Sequence, residues 1–254
     1  MTDPVLYIRN LTKRFGGLVA VDHVSWDIYP GEVVALLGDN GAGKSTLIKC
    51  VSGVHPADDG DIYFQGRLSS FADPMEARRQ GIETIYQDLA LANNLDVGAN
   101  IFLGREVKKR YLGGLVRVLD EAKMLRESQA ALRSLQIHFP TLTQPIESLS
   151  GGQRQAVAIA RAVYWDARLM IMDEPTNNLG VPEQKKVLDV IRRLRDQGVP
   201  VILITHILPD VFAVSDRLMV MHRGRKVTEK KTSDTHTEEL VQYMVGARDD
   251  TRTH

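Results

Sequence analysis

The run Gly38-Asp39-Asn40-Gly41-Ala42-Gly43-Lys44-Ser45-Thr46 constrains this chain more than any other stretch. It follows the apolar residues Val33-Val34-Ala35-Leu36-Leu37 and leads into Leu47-Ile48-Lys49-Cys50-Val51. A buried strand, a glycine turn and a helix, in that order, are what a phosphate-binding loop requires. The glycines let the backbone curl until its N–H groups point inward at phosphate oxygens. The helix that follows adds the positive end of its dipole. Lys44 then reaches the terminal phosphates, and Ser45 offers a hydroxyl to a magnesium ion.

At 254 residues the chain has room for one large α/β domain or two closely joined subdomains. Lys plus Arg equals Asp plus Glu at 32 each, so no long-range field draws it to nucleic acid or to an acidic membrane. The basic cluster Lys108-Lys109-Arg110 reads as a solvated loop rather than a docking patch. A single cysteine, Cys50, excludes an internal disulfide and a cysteine metal cluster. Lying among Leu47, Ile48 and Val51, it reads as a small packed side chain. The seven histidines show no metal-ligand spacing. The start lacks the basic and apolar regions of a signal peptide. No stretch approaches the roughly 18 apolar residues of a membrane span. These features predict a protein that is cytosolic, or that docks on something in a membrane without entering it.

The first thirty residues alternate as half-buried antiparallel strands, with turns at Gly16-Gly17 and Pro30-Gly31. Asp58-Asp59-Gly60 reads as a turn before a short strand, and Asp73 with Pro74 opens a capped helix. Ile82-Glu83-Thr84-Ile85-Tyr86 reads as a strand with Gln87 at its end. From residue 88 to about 161 helical spacing dominates, interrupted by a loop with Gly113-Gly114. Its clearest helix, residues 120–135, carries an apolar stripe of Ala122, Leu125, Ala130, Leu132 and Leu135. A helical subdomain inserted into an α/β core is the result. The core resumes with the fully apolar strand Leu169-Met170-Ile171-Met172, which ends in Asp173-Glu174. A helix from Pro182 to about Gln197 follows, then the strand Val201-Ile202-Leu203-Ile204-Thr205 ending in His206. Residues 249–254 are polar and expected to fray.

Strands ending in Gly38, Gln87, Asp173-Glu174 and His206 place those residues along one edge of a parallel sheet, where ligands bind in open α/β folds. Asp173 suits a carboxylate that holds magnesium directly or through water. Glu174 is placed to polarise a water for in-line attack on a γ-phosphate. His206 is expected to hydrogen-bond that phosphate or to fix the attacking water. Phe15, just before a turn, either stacks on a nucleotide base or sits on the rim of the β layer. Leu149-Ser150-Gly151-Gly152-Gln153 starts a helical run, and its small residues at a helix N-terminus make a second anion site. One phosphate chain has little use for two such grips unless the second serves another subunit's nucleotide.

With these stretches in their order, residues 6–246 resemble the ATP-binding cassette (ABC) ATPases. The matching parts are Walker A (residues 38–45), the Q-loop Gln87, the signature 149–153, Walker B (169–173) with Glu174, and the switch His206. The resemblance implies a P-loop NTPase (RecA-like) α/β core with an antiparallel β subdomain and an inserted α-helical subdomain. Its boundaries fall at 4–87 and 162–246 for the core, 88–161 for the helical part and 247–254 for a polar tail. It makes Phe15 the residue that stacks on adenine, and Gly38, Asp39, Asn40, Gly41, Ala42, Gly43, Lys44, Ser45 and Thr46 the phosphate grip. Ser150, Gly151, Gly152 and Gln153 become the grip on a second cassette's ATP. Ser45, Gln87 and Asp173 become the Mg²⁺ ligands, and Glu174, His206, Lys44 and Gln87 the catalytic set.

Residues 86–91, 100–106 and 173–180 look like the ATPases of bacterial monosaccharide importers for ribose, xylose, galactose or fructose-type sugars. Many of that group carry two cassettes, and this chain ends after the first. Gly180 stands where many cassettes place an aspartate linking the two nucleotide sites. The implied function is ATP hydrolysis coupled to sugar import through separate permease subunits. The implied setting is the cytoplasmic face of the bacterial inner membrane, with the purified chain soluble. The implied partners are a second cassette, as a homodimer when ATP is bound, and indirectly a periplasmic sugar-binding protein, but no nucleic acid. The alternative is a soluble ABC ATPase acting on ribosomes or DNA, which the zero net charge and the lack of basic extensions disfavour. A small-molecule kinase would leave the signature motif unexplained.

Overall fold

The computed structural model describes residues 3–111 and 116–252, so the expected Gly113-Gly114 loop lies outside the described residues. In chain order, β1 (Leu6–Phe15), β2 (Leu18–Ile28) and β3 (Val33–Leu37) lead to α1 (Lys44–Val51). Then come β4 (Asp59–Phe64), β5 (Arg67–Leu68), α2 (Pro74–Arg79) and β6 (Ile82–Ile85). The middle of the chain holds α3 (Val97–Phe102), β7 (Lys108–Tyr111), β8 (Val116–Leu119), α4 (Glu121–Ser134) and α5 (Gly151–Tyr164). It closes with β9 (Leu169–Asp173), α6 (Val181–Asp196), β10 (Val201–Ile204), α7 (Leu208–Val214), β11 (Arg217–His222), β12 (Arg225–Lys231) and α8 (Thr237–Met244). These elements fall into two compact units. The first is Met1–Thr84, Ala167–Pro175 and Ile191–His254; the second is Ile85–Asp166 and Thr176–Val190.

The first unit is built on a six-stranded sheet ordered β12-β11-β3-β10-β9-β6. β3 pairs in parallel with β10 and β11, and β10 with β9, while β12 joins antiparallel at the edge. Both faces of the sheet are covered, which is why β3, β10 and most of β9 are apolar at every residue. Alternation along β3 divides the core. Val34 and Leu36 pack with α1 and the antiparallel layer, whereas Ala35 and Leu37 pack with Val211, Leu240 and Tyr243. The antiparallel layer is a second sheet ordered β2-β1-β4-β5, whose inward side chains Leu6, Ile8, Val24, Trp26 and Ile28 are buried. This is the α/β architecture that the sequence predicts. Cys50 is buried, and burial pushes its thiol up to about 11, in keeping with a packed, unreactive side chain. Of the polar end expected to fray, residues 253–254 lie outside the described residues, and Asp250 is tied down: it accepts hydrogen bonds from Thr228 Oγ1 at 2.7 Å and Tyr243 OH at 2.8 Å.

The second unit packs α3, α4 and α5 together and differs from expectation in two places. The cluster Lys108-Lys109-Arg110 is a strand, paired with β8 in an antiparallel ribbon, and not a loop. The only strand signal here is the short alternation Val116-Arg117-Val118, which the helical spacing on either side obscures. On α4, capped by Asp120, the buried positions are Met124, Ser128, Ala131 and Leu132, followed by Leu135. Ala122, Leu125 and Ala130 are exposed. A polar Ser128 in the buried stripe, where an apolar residue would be expected, misled the hydrophobic pattern. Among the described residues no helix is long and apolar enough to cross a membrane.

Candidate active site

The buried strand β3 delivers the chain into Gly38 at φ 144°, with Gly41 at 79° and Gly43 at 102°, conformations that residues with side chains avoid. Two of these glycines are needed for space as well. A Cβ on Gly38 would stand 2.3 Å from the Met221 carbonyl oxygen, and one on Gly43 would stand 2.4 Å from that of Ala20. The Gly224 amide donates to the Ala42 carbonyl oxygen at 2.9 Å, so the β11–β12 turn braces the loop. α1 then starts at Lys44 with Gly43 as its N-cap and no side-chain cap. Its first amides and its dipole are left directed at whatever sits before it. Lys44 Nζ donates to the carbonyl oxygens of Gly38 at 2.7 Å and Asp39 at 3.0 Å. Burial lowers the Lys44 pKa, against the upward pull of Asp39, Glu174 and Asp173.

A cavity of about 570 Å³ opens over this loop, lined by Asn40 to Thr46 on one side and by Phe15, Leu18, Val19 and Ala20 on another. Phe15, at the end of β1, is 44% exposed and meets the His55 ring edge-on at a centroid distance of 5.3 Å. Lys13 Nζ lies 5.5 Å from its ring centroid. An exposed aromatic face beside the glycine loop could stack against a flat ring. Arg223 and Gly224 complete the lining, a contribution that a turn signal alone does not announce.

Asp173 ends β9. Burial, and then the Glu174 charge, push its carboxyl above its ordinary value, while Lys44 pulls it down. The Asp173 carboxylate makes no hydrogen bond or ion pair among the described residues. Glu174 takes φ 50°, rare for a residue with a side chain, and its amide donates to the Ile204 carbonyl oxygen at 2.8 Å. That backbone turn directs its carboxylate to His206, whose Nδ1 lies 3.0 Å from Glu174 Oε1. The partner of His206 is therefore the carboxylate itself, an interaction that the strand-end pattern did not reveal. Phe15, the loop residues, Asp173, Glu174 and His206 all belong to the first unit.

Gln87 and the stretch 149–153 belong to the second unit. Gln87 is exposed just beyond β6. Arg161 of α5 donates to the carbonyl oxygens of Leu89 and Ala90 at 3.1 and 3.0 Å, fixing the segment that follows Gln87. Arg154 likewise holds the carbonyl oxygens of Glu147 and Leu149, at 3.0 and 3.1 Å, ahead of Ser150. Neither arginine is marked by a motif; only their neighbours are. Ser150 is the N-cap of α5 in a complete capping box. Its Oγ accepts from the Gln153 amide at 3.4 Å, and Gln153 Oε1 accepts from the Ser150 amide at 2.9 Å. A Cβ on Gly151 would meet Leu179 Cδ2 at 2.7 Å, and one on Gly152 would meet Glu183 Cβ at 2.8 Å. These two glycines therefore also admit the start of α6. A Cβ on Gly180 would stand 2.9 Å from Glu183 Oε2, so an aspartate there would set two carboxylates against each other.

Residues 21–177 match the model of the ABC transporter family. The chain is 50% identical over 240 residues to the xylose/arabinose import ATP-binding protein of Sulfolobus acidocaldarius, covering 94% of this chain and 93% of that one. It is 44% identical to the fructose import ATP-binding protein of Rhizobium meliloti, with 98% and 97% covered. A putative ribose/galactose/methyl galactoside import ATP-binding protein of Burkholderia cenocepacia is 40% identical, and there the match spans only 48% of the relative. Among solved structures, a nucleotide-free ATP-binding cassette of an ABC transporter superposes with a TM-score of 0.80 at 27% identity, over 95% of each chain. A cassette in its ADP conformation gives 0.78 at 26% identity, over 96% of each.

Proposed function

The chain belongs to the ABC transporter family, and on that premise we propose that it binds and hydrolyses ATP to energise import of a monosaccharide through a separate membrane permease. The observation that carries this reading is the cluster of Lys44, Asp173 and Glu174, which feel one another's charge at the mouth of the glycine loop. The near-full-length similarity to sugar-import ATP-binding proteins supplies the substrate class.

In this reading the triphosphate lies on the amides of residues 38–45, with the base against Phe15. Lys44 exchanges the carbonyl oxygens of Gly38 and Asp39 for the terminal phosphates, so its desolvated ammonium regains an anionic partner. A magnesium ion fits the residues present. Asp173 offers a half-buried carboxylate without a hydrogen-bond partner, Ser45 offers a hydroxyl, and the family resemblance adds Gln87. Among the described residues no group of three or more His, Cys, Asp or Glu could hold a metal ion, and a magnesium ion here would need phosphate and water oxygens for its remaining ligands. Bound with ATP, it would neutralise charge on the β- and γ-phosphates. Glu174 takes the proton of the attacking water, and His206, donating from Nδ1, keeps that carboxylate in place.

Ser150, Gly151, Gly152 and Gln153 serve the ATP of a second cassette in an isologous, head-to-tail pair. The Ser150 hydroxyl gives a lone pair to the cap and keeps its proton for a phosphate oxygen. The pair sits peripherally at the cytoplasmic side of the membrane with its permease, and a sugar-binding protein delivers the cargo.

Glu174→Gln tests the assignment. The variant is expected to bind ATP while steady-state hydrolysis falls by about a hundredfold or more, and its solution mass is expected to double with ATP and Mg²⁺. Hydrolysis close to the parent rate would remove Glu174 as the base.

A further inference from the structure

The ribbon of β7 and β8 takes no part in the site above. It pairs Lys108 with Leu119, Lys109 with Val118 and Arg110 with Arg117. Residues 107–119 hold four cations and no acid, in a chain whose charges balance overall. Every residue of β8 is exposed, including Val116, Val118 and Leu119. Directly paired residues of an antiparallel ribbon share a face, so Arg110 and Arg117 set two positive side chains opposite each other on the same face. Neither arginine makes an ion pair or hydrogen bond among the described residues. The nearby Glu106 carboxyl is held low first by backbone hydrogen bonds and only lastly by Lys108, so it offsets at most that one cation.

Like charges set directly opposite destabilise a ribbon, and a two-stranded ribbon has little stability to lose. Whatever offsets the pair must be anionic. The shape of the surface narrows the choice. Lys108, Arg110, Arg117 and Leu119 lie on one face and Lys109, Val116 and Val118 on the other, so cations and exposed apolar side chains occur on both. A peptide partner would need one complementary face, whereas the headgroup layer of a bilayer surrounds an inserted element. There the guanidinium groups meet phosphates, and the valines and Leu119 reach the acyl boundary.

We propose that the paired strands β7 and β8 form a membrane-surface anchor that binds anionic phospholipid directly. The contact goes beyond the permease-bound reading, because the isolated chain carries it. It acts only within about a Debye length of the surface, which suits a protein with no net charge that other contacts bring to the membrane.

The experiment is co-sedimentation of the full chain with vesicles of phosphatidylglycerol in phosphatidylcholine, against phosphatidylcholine alone. Partitioning is expected to favour the anionic vesicles and to weaken with salt. Replacing Lys108, Arg110 and Arg117 together by Ser should lower it on the order of a hundredfold, about fivefold per cation. ATP hydrolysis in solution should stay at the parent rate, which also certifies folding. A second variant, Val116→Ser with Val118→Ser, keeps the charge and should still lose several-fold. Equal binding to both vesicle types, or binding only when a permease is present in the vesicles, would overturn the proposal and give the ribbon to a protein partner. Neither result touches the Glu174→Gln test, so the two readings fail separately.

Discussion

Two helices in this molecule begin with small residues, and the two beginnings are built for opposite reasons. At α1 the glycines supply backbone shape: Gly38, Gly41 and Gly43 all have positive φ, and no side chain caps the helix. At α5 neither Gly151 nor Gly152 has an unusual φ, and the helix is closed by its own capping box. There the glycines make room for Leu179 and Glu183. One helix start is left open for a ligand within its own unit. The other has its Ser150 and Gln153 amides closed by the capping box and keeps the Ser150 hydroxyl proton and the first-turn amides of Gly151 and Gly152 to offer. A glycine-rich motif can thus report a needed conformation or a needed absence of volume, and only the second depends on a distant segment.

Substitutions that separate shape from space can break this contrast. The largest effect is expected from Gly38→Ala, whose new methyl would meet a backbone oxygen at 2.3 Å at φ 144°. A loss above about 4 kcal/mol in denaturant unfolding, with loss of nucleotide binding, is expected. Gly41→Ala, with nothing within 4 Å of its Cβ, should show only the conformational cost of about 1–2 kcal/mol. Equal effects would mean that space is irrelevant in the loop.

Gly152→Ala, strained by packing alone, should cost about 1–3 kcal/mol. Adding Glu183→Gly removes the opposing Cβ, so the double variant should lose less than the sum of the single ones. Strict additivity would sever the link between α5 and α6. Ser150→Ala should cost about 1 kcal/mol through the lost cap and leave the ATP affinity of the isolated chain unchanged. A fall in that affinity would place the Ser150 hydroxyl on the chain's own nucleotide.

The smallest effect should be a gain. Asp173 has a folded-state pKa raised by burial and by Glu174, so its ionised form is disfavoured in the folded chain. Asp173→Asn should raise the melting temperature of the nucleotide-free protein by a few degrees while abolishing hydrolysis. The gain should be present above the raised pKa and fade as pH falls through it towards the ordinary carboxylate range. A lower melting temperature at neutral pH would show that the carboxylate is stabilised rather than strained.

Much of the fold was legible because its signals are local. β3, β10 and all of β9 but its terminal Asp173 are apolar since both faces of a central sheet are covered, and the residues at their ends are the ones that reach the site. The antiparallel layer alternates because only one of its faces is buried. Legibility failed where periodicities compete. The ribbon of β7 and β8 is short and bounded by helices, and α4 buries the polar Ser128 while leaving Leu125 exposed. Arg154 and Arg161 were silent in the sequence, since their targets are backbone carbonyl oxygens that no motif records.

The sequence by itself determined the glycine loop after β3, the carboxylates at the end of β9 and the order of the motifs. These depend on residues within a few positions of one another and on backbone conformations that glycine alone adopts freely. Only the tertiary structure decided that His206 holds Glu174, that Gly151 and Gly152 admit α6, and that Arg110 faces Arg117. Each of those is a side-chain approach between segments that the sequence separates. The physical reason is that steric and electrostatic complementarity is settled by distance in space, which a linear pattern does not carry.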